Sequence, residues 1–352
     1  MIDARLTIRN INQSYAEPVL KDVCLSIASG EVHALVGENG AGKTTLASIL
    51  AGLIYCDRGK MLLDGEHYCP RNAQEALSAG VSLAAQEPAT IDRLSVGENI
   101  GLCKLPARYG VIDRVELEHM ARKALCLVGS DITDTNMTLY ELNIANRQLV
   151  ELARVLQGGS KILILDEPTA ALTQPQTDLL HKVIRDLAVN GTSIIYISHR
   201  LGDVLDVADV VSVLRDGQIV LSEPADLLTV DRLVFAMAGD VFKPRRDSVQ
   251  NAQLGDPLLR VDSIASADFA GPISFLGKSG EIIGLAGLAG SGRSALLHAI
   301  FGSTKLTQGR VVRVVENEDV ELKTSYEAVK NGVALLGEDR ISMGLFPGQS
   351  VR

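Results

Sequence analysis

The chain has 352 residues, 46% of them hydrophobic and 22% charged, a balance that suits two globular domains with sizeable cores and excludes disordered or fibrous classes. A formal net charge of −9 argues against nucleic acid as a partner, because phosphate-backbone binding leaves a basic footprint. The five cysteines, Cys24, Cys56, Cys69, Cys103 and Cys126, are odd in number and form no CxxC pair, which points to reduced thiols rather than a disulfide framework or a zinc site.

The start, Met1-Ile2-Asp3-Ala4-Arg5, has no basic region leading into an apolar core, so no secretory leader is expected. No apolar run reaches the roughly 18 residues of a bilayer span, and any membrane role is expected to come through a partner. Residues 6–11 and 23–27 alternate as strands, with a turn at Ser29-Gly30. Between them stands Tyr15, a candidate to stack on a base or simply to pack. Val32-His33-Ala34-Leu35-Val36 reads as a buried strand and residues 46–51 as a helix ended by Gly52.

Between that strand and helix lies Gly37-Glu38-Asn39-Gly40-Ala41-Gly42-Lys43-Thr44-Thr45, a full match to the phosphate-binding loop G-x-x-x-x-G-K-[ST]. Glycines let backbone N–H groups curl around a triphosphate, and the helix N-terminus adds positive potential. Lys43 is placed to reach the outer phosphates and the Thr44 hydroxyl to ligate a magnesium ion bridging them. The loop predicts a nucleotide and leaves open what the nucleotide drives.

Further along, residues 60–65 read as a strand and turn, 73–79 as a short helix, and 81–85 as a strand delivering Gln86 at its end, where ligands sit in open α/β sheets. From Ser95 to about Gly129 the spacing is helical, and 148–156 is a further helix, so that a helical insert lies between Gln86 and Leu142. Lys161-Ile162-Leu163-Ile164-Leu165-Asp166-Glu167-Pro168 predicts a doubly buried strand with two carboxylates at its exit. Asp166 is the candidate to hold magnesium and Glu167 the candidate to orient and deprotonate an attacking water. A helix over 178–188 precedes a strand over 193–197 ending at Ser198-His199, a histidine suited either to sensing a terminal phosphate or to capping. Residues 210–221 form a hairpin about Asp216-Gly217, 231–238 a short helix, and 243–256 a linker.

The second part repeats the first. Residues 258–261 and 273–276 echo the opening strands, and Ser279-Gly280-Glu281-Ile282-Ile283-Gly284-Leu285-Ala286-Gly287 parallels residues 29–37 without a gap. A second loop follows with Gly287, Gly290, Gly292, Arg293 and Ser294 at phosphate-loop spacing, arginine standing where the first has lysine. A planar guanidinium does not pack as a compact ammonium does, so hydrolysis is not expected there. Nothing after Arg293 resembles Asp166-Glu167 or His199, and the second copy is expected to be partial.

With these residues assembled, the chain resembles the ATP-binding subunit of an ABC transporter, of the tandem-cassette type that energises monosaccharide importers. The resemblance covers the whole chain and is strongest at 37–45, 162–172 and 280–302. It implies an α/β P-loop NTPase fold with an antiparallel β subdomain and a helical subdomain (about 95–157). The first cassette would span 1–242, the linker 243–256, and a partial, degenerate second cassette 257–352. It also implies Tyr15 as the adenine-stacking aromatic, Gln86 as a magnesium ligand linked to the membrane subunit, and His199 as the switch histidine. Leu142-Asn143-Ile144-Ala145-Asn146-Arg147-Gln148 is similar to the family's signature segment: Leu142, Ile144, Ala145 and Gln148 fit, while Asn143 replaces the serine that bonds the γ-phosphate across a cassette dimer. Gly337-Glu338-Asp339-Arg340 and Gly344-Leu345 resemble the second half of such proteins. ATP and Mg²⁺ are the implied ligands. The implied partners are permease subunits, a periplasmic sugar-binding protein and a second cassette, from another copy or a separate chain. The alternatives are a non-catalytic nucleotide-binding remnant, or an ABC ATPase acting on ribosomes or DNA, whose long basic linker or coiled coil is absent here. The sugar itself is not legible, because specificity belongs to the other subunits.

Overall fold

The structure is a computed structural model and describes residues 4–85, 90–102, 105–170, 172–239, 254–287, 290–315, 318–337 and, singly, 344, 346, 349 and 350. Two compact units divide it, Met1–Lys243 and Pro244–Arg352.

The first unit opens with β1 (Ala4–Ser14) and β2 (Pro18–Ala28), then β3 (Val32–Val36), α1 (Lys43–Leu50), β4 (Arg58–Leu63), β5 (Glu66–Tyr68), α2 (Ala73–Ala79) and β6 (Val81–Ala84). A helical region follows: α3 (Val96–Gly101), a small hairpin of β7 (Ala107–Arg108) and β8 (Val111–Ile112), α4 (Arg114–Leu127) and α5 (Ile144–Leu156). The chain then returns through β9 (Ile162–Asp166), α6 (Gln174–Val189), β10 (Ser193–Ile197), α7 (Leu201–Val207), β11 (Val210–Arg215), β12 (Gln218–Pro224) and α8 (Val230–Ala238).

Two sheets organise these elements. One is antiparallel, in the order β2-β1-β4-β5; the other runs β12-β11-β3-β10-β9-β6, with β11, β3, β10, β9 and β6 parallel and β12 antiparallel at one edge. The parallel strands are apolar at almost every position because both faces are covered. Val32, Ala34, Leu163, Leu165, Ile194 and Tyr196 face the core shared with the helical region. Leu35, Ile162, Ile164, Ile195 and Ile197 face the core closed by α1, α2 and the antiparallel sheet. The alternation follows the two-residue pleat.

Two expectations change in detail. The helical spacing over 95–129 is interrupted by the β7–β8 hairpin, whose turn residues Tyr109 and Gly110 both take positive φ (53° and 80°), the backbone of a tight two-residue hairpin turn. The helix after the phosphate loop begins at Lys43, three residues before the apolar run suggested.

The second unit contains β13 (Pro257–Ser266), β14 (Phe269–Lys278), α9 (Arg293–Ile300), β15 (Gln308–Val315), β16 (Glu318–Glu321) and α10 (Ser325–Lys330). Its sheet order, β14-β13-β15-β16, reproduces the antiparallel sheet of the first unit strand for strand. The counterpart of β3 does not form a strand: residues 281–287 are irregular, and Ile282 is 98% exposed. In the first unit β3 is held between β10 and β11; among the described residues of the second unit no strand pairs with 282–286, and an apolar run without ladder partners has nothing to fix it extended.

Ile164 is fully buried in β9 at the centre of the parallel sheet. Ile164→Ala should lower the stability of the first unit by about 2–5 kcal/mol, seen as an earlier denaturation midpoint in urea.

Candidate nucleotide-binding and hydrolytic site

The exits of three adjacent parallel strands bring the predicted groups together. The loop 37–45 follows β3, Asp166 ends β9 and Glu167 follows it, and His199 lies just beyond β10, which stands between β3 and β9. Gln86 lies outside the described residues, as do the side chain of Ile144 and residues 338–340.

Glycine is required at Gly37 by crowding: a Cβ there would fall 2.2 Å from the Leu214 carbonyl oxygen of β11. Gly42 takes φ 105° at the cap of α1, a left-handed conformation open to glycine, and turns the chain into the helix. Ala41 is buried beneath the loop, while Glu38, Asn39, Gly40 and Thr44 face outward and Thr45 is half-buried. Lys43 is buried, and its Nζ donates to the carbonyls of Gly37 (2.8 Å) and Glu38 (2.9 Å), which folds the ammonium across the mouth of its own loop. Burial lowers the Lys43 ammonium below its ordinary range, and the charges of Glu167 and Asp166 oppose that.

Asp166 is buried, and burial lifts its carboxyl above the usual range; a hydrogen bond from Thr44 acts in the other direction. One hydroxyl bonded to one carboxylate beside a phosphate loop is the sparse protein donor set that magnesium takes when phosphate and water supply the rest. Among the described residues no three His, Cys, Asp or Glu side chains cluster as an all-protein metal cage. The residues present therefore fit magnesium held jointly with phosphate.

Glu167 departs from the strand with φ 52°, a conformation that costs a non-glycine residue energy and persists only where surroundings impose it. Three contacts impose it. Its N–H donates to the Ile197 carbonyl at 2.9 Å, tying the exit of β9 to that of β10. Gln148 of α5, itself buried, donates Nε2 to the carbonyls of Glu167 (3.1 Å) and Pro168 (3.0 Å). Beyond the corner, buried Thr169 donates its hydroxyl to Asp203 of α7 at 3.3 Å. Glu167 Oε2 lies 2.7 Å from His199 Nδ1, an ion-pair distance without hydrogen-bond geometry, so that this buried oxygen accepts no hydrogen bond among the described residues. A carboxylate so held can take a proton from a water placed against it.

Asn143 caps α5, its Oδ1 accepting from the Asn146 N–H at 2.8 Å. Asparagine and serine are comparable N-caps, so the replacement keeps the helix start. Leu142 anchors this corner in the core and Ala145 is half-buried. Tyr15, between β1 and β2, is 60% exposed, which leaves its ring available for stacking. In the second unit Gly290 and Gly292 repeat the positive φ of Gly40 and Gly42 (79° and 84°), and Gly292 caps α9 as Gly42 caps α1. Gly287 and Ser294 are exposed, and Arg293 is exposed where Lys43 is buried. The Thr169–Asp203 bond and the action of Gln148 on backbone carbonyls were not legible in the sequence, because neither follows a spacing rule.

A phosphate loop, a strand-end carboxylate pair and a strand-end histidine on neighbouring parallel strands define a P-loop NTPase of the ATP-binding-cassette type. The chain belongs to the ABC transporter family, whose sequence profile matches residues 20–170 and 271–352. It is 37% identical over 349 residues to the ribose import ATP-binding protein RbsA of Chromobacterium violaceum, covering 99% of this chain and 69% of that protein. It is 41% identical over 346 residues to ribose import ATP-binding protein RbsA 2 of Escherichia coli O157:H7, covering 97% of this chain and 67% of that protein. The chain thus spans about two thirds of the length of these relatives. Among solved structures, a dimeric ATP-binding cassette, MJ0796, bound to ADP and phosphate shares the fold with a TM-score of 0.57 and 21% identity, over 62% of this chain and 98% of that one. A nucleotide-free cassette from an ABC transporter matches with a TM-score of 0.53 and 25% identity, over 63% and 91%.

Gln148→Ala removes both carbonyl bonds on the Glu167 corner. It should leave ATP affinity within about twofold and lower turnover by about tenfold, corresponding to roughly 1.4 kcal/mol of lost positioning, as read from ATP binding and steady-state hydrolysis in parallel.

Proposed function

We propose that the chain is the ATP-hydrolysing subunit of an importer for ribose or a related small sugar, coupling MgATP hydrolysis to uptake. The observation that carries this reading is similarity over nearly all of this chain to ribose import ATP-binding proteins, together with Lys43, Asp166 and Glu167 gathered at the exits of β3 and β9. The first cassette is assigned to 1–242, the linker to 243–256 and residues of a second, degenerate cassette to 257–352, a division supported by the repeated sheet order.

Residues 37–45 cradle the phosphates, Lys43 turning from its own loop carbonyls toward them, and Tyr15 stacks on the adenine. Thr44, Asp166 and Gln86 hold Mg²⁺, which when bound neutralises phosphate charge and orients the nucleotide. Glu167 accepts a proton from the attacking water, and His199 stands beside it on the γ-phosphate side. Asn143, at the signature corner with Leu142, Ile144, Ala145 and Gln148, presents its amide to the nucleotide of a facing cassette. Gly287, Gly290, Gly292, Arg293 and Ser294 form a second loop that binds nucleotide without hydrolysing it.

The chain acts peripherally at the cytoplasmic face of the inner membrane, on permease subunits served by a periplasmic sugar-binding protein. No helix among the described residues is long and apolar enough to cross a membrane. Nucleic acid is not a partner.

The exposed Arg293 in place of a buried lysine favours one competing reading, a nucleotide-binding chain without turnover. Measurable MgATP turnover by the purified protein, lost in Lys43→Ala, supports the ATPase; its absence supports the competitor. Glu167→Gln should slow hydrolysis by roughly 10²–10⁴ while sparing ATP binding. Full turnover in that variant would remove Glu167 from the reaction. In gel filtration the same variant with MgATP should elute as a dimer at high concentration if two copies pair, and as a monomer throughout if a separate chain is needed.

A further inference from the structure

We propose that the outer face of the antiparallel sheet in the first unit is a binding groove for a small, doubly charged phosphate ester, beside the nucleotide loop and lined by other residues. The proposal stands independently of the transport reading.

An open groove of about 1180 Å³ runs across β2, β1 and β4, and Arg9, Lys21, Arg58 and Lys60 line it. No residue of the loop 37–45 contributes to its lining. Register places the cations deliberately close. Arg9 lies directly opposite Lys60 on the β1–β4 ladder, and Arg58 lies opposite Asn12. Lys21 sits across β1 where that strand is bulged, beside Asn10 and Asp22, which both take positive φ (53° and 51°). Like charges directly opposite each other in a sheet are destabilising. Among the described residues none of the four side chains makes a hydrogen bond or an ion pair, although the chain as a whole carries nine excess negative charges.

β1 and β4 are interior strands of their sheet, so Arg9 and Lys60 guard no exposed edge against aggregation. The groove also holds two carboxylates, each already engaged: Asp22 accepts from Asn12 Nδ2 at 2.8 Å, and Asp57 accepts from the Ser14 N–H at 2.8 Å. Against four cations they leave an excess of two, which matches a dianion. Two guanidinium groups supply the forked donors that suit phosphate oxygens. Among the groove residues Leu20 is fully buried and no large apolar side chain is exposed, so the face offers no anchor for a bilayer interior and the ligand is a soluble ester.

The test uses the full chain carrying Lys43→Ala and Arg293→Ala, which weakens phosphate binding by both loops, titrated calorimetrically with ribose 5-phosphate at low salt. Saturable binding is expected, weakened at least tenfold by adding Arg9→Ala and Arg58→Ala and weakened again by salt, while ribose gives no heat. Lys60→Glu provides a readout independent of the ligand. It relieves the cross-strand repulsion, so it should raise the unfolding midpoint by roughly 1–4 °C while abolishing ribose 5-phosphate binding. The proposal is overturned by absence of saturable binding, by equal binding in the double variant, or by a lower midpoint in Lys60→Glu. Association only with phosphatidylglycerol vesicles, without sugar-phosphate binding, overturns it as well.

Discussion

Burial of the parallel sheet on both faces is the constraint from which the rest of the molecule follows. Strands β3, β9 and β10 are covered by the helical region on one side and by α1, α2 and the antiparallel sheet on the other, so an ionisable side chain within them needs buried partners, as His33 of β3 has in Glu31 and Ser212. Polar chemistry is pushed to where the strands stop. Asp166 is the last residue of its strand, Glu167 the first beyond it, and Lys43 opens the helix after the loop that leaves β3. The site is the place where a double-sided core runs out.

The same burial disfavours charge on the groups it collects. It lifts the Asp166 carboxyl and depresses the Lys43 ammonium, and each group's charge partly restores the other. A second buried network lies behind the corner. Tyr196, fully enclosed in β10 with its phenol pushed up to about 12 by burial, stacks edge-on against His181 of α6, and the Thr169–Asp203 bond joins the β9 exit to α7. Glu167 is thus held in an unfavourable backbone conformation by elements from both halves of the sheet.

Much of this was legible in the sequence because it depends on local rules. The phosphate loop is a spacing of glycines and one lysine, and the strand ending in Asp166-Glu167 is an apolar run with a polar exit; both are written within a few consecutive residues. The start of α1 lies three residues ahead of the apolar run because Lys43, Thr44 and Thr45 give no apolar signal. The β7–β8 hairpin was missed because a turn at Tyr109-Gly110 interrupts a pattern that otherwise keeps helical spacing. Residues 281–287 show the opposite failure: the sequence copies β3 closely, yet a doubly buried strand is made by its neighbours, and no amount of local similarity supplies them. Thr169–Asp203 and the partners of Gln148 are contacts between distant segments, and only the fold reveals those.

The bonds from Gln148 end on main-chain oxygens and not on the carboxylate of Glu167. A carbonyl is present whatever side chain occupies the position, so replacement of the acid leaves this attachment between α5 and the β9 exit in place. Mechanical linkage and chemical competence are therefore inherited separately in this architecture. Substitution at residue 167 changes the side chain facing the phosphate loop without cutting the tie between the helical region and the sheet.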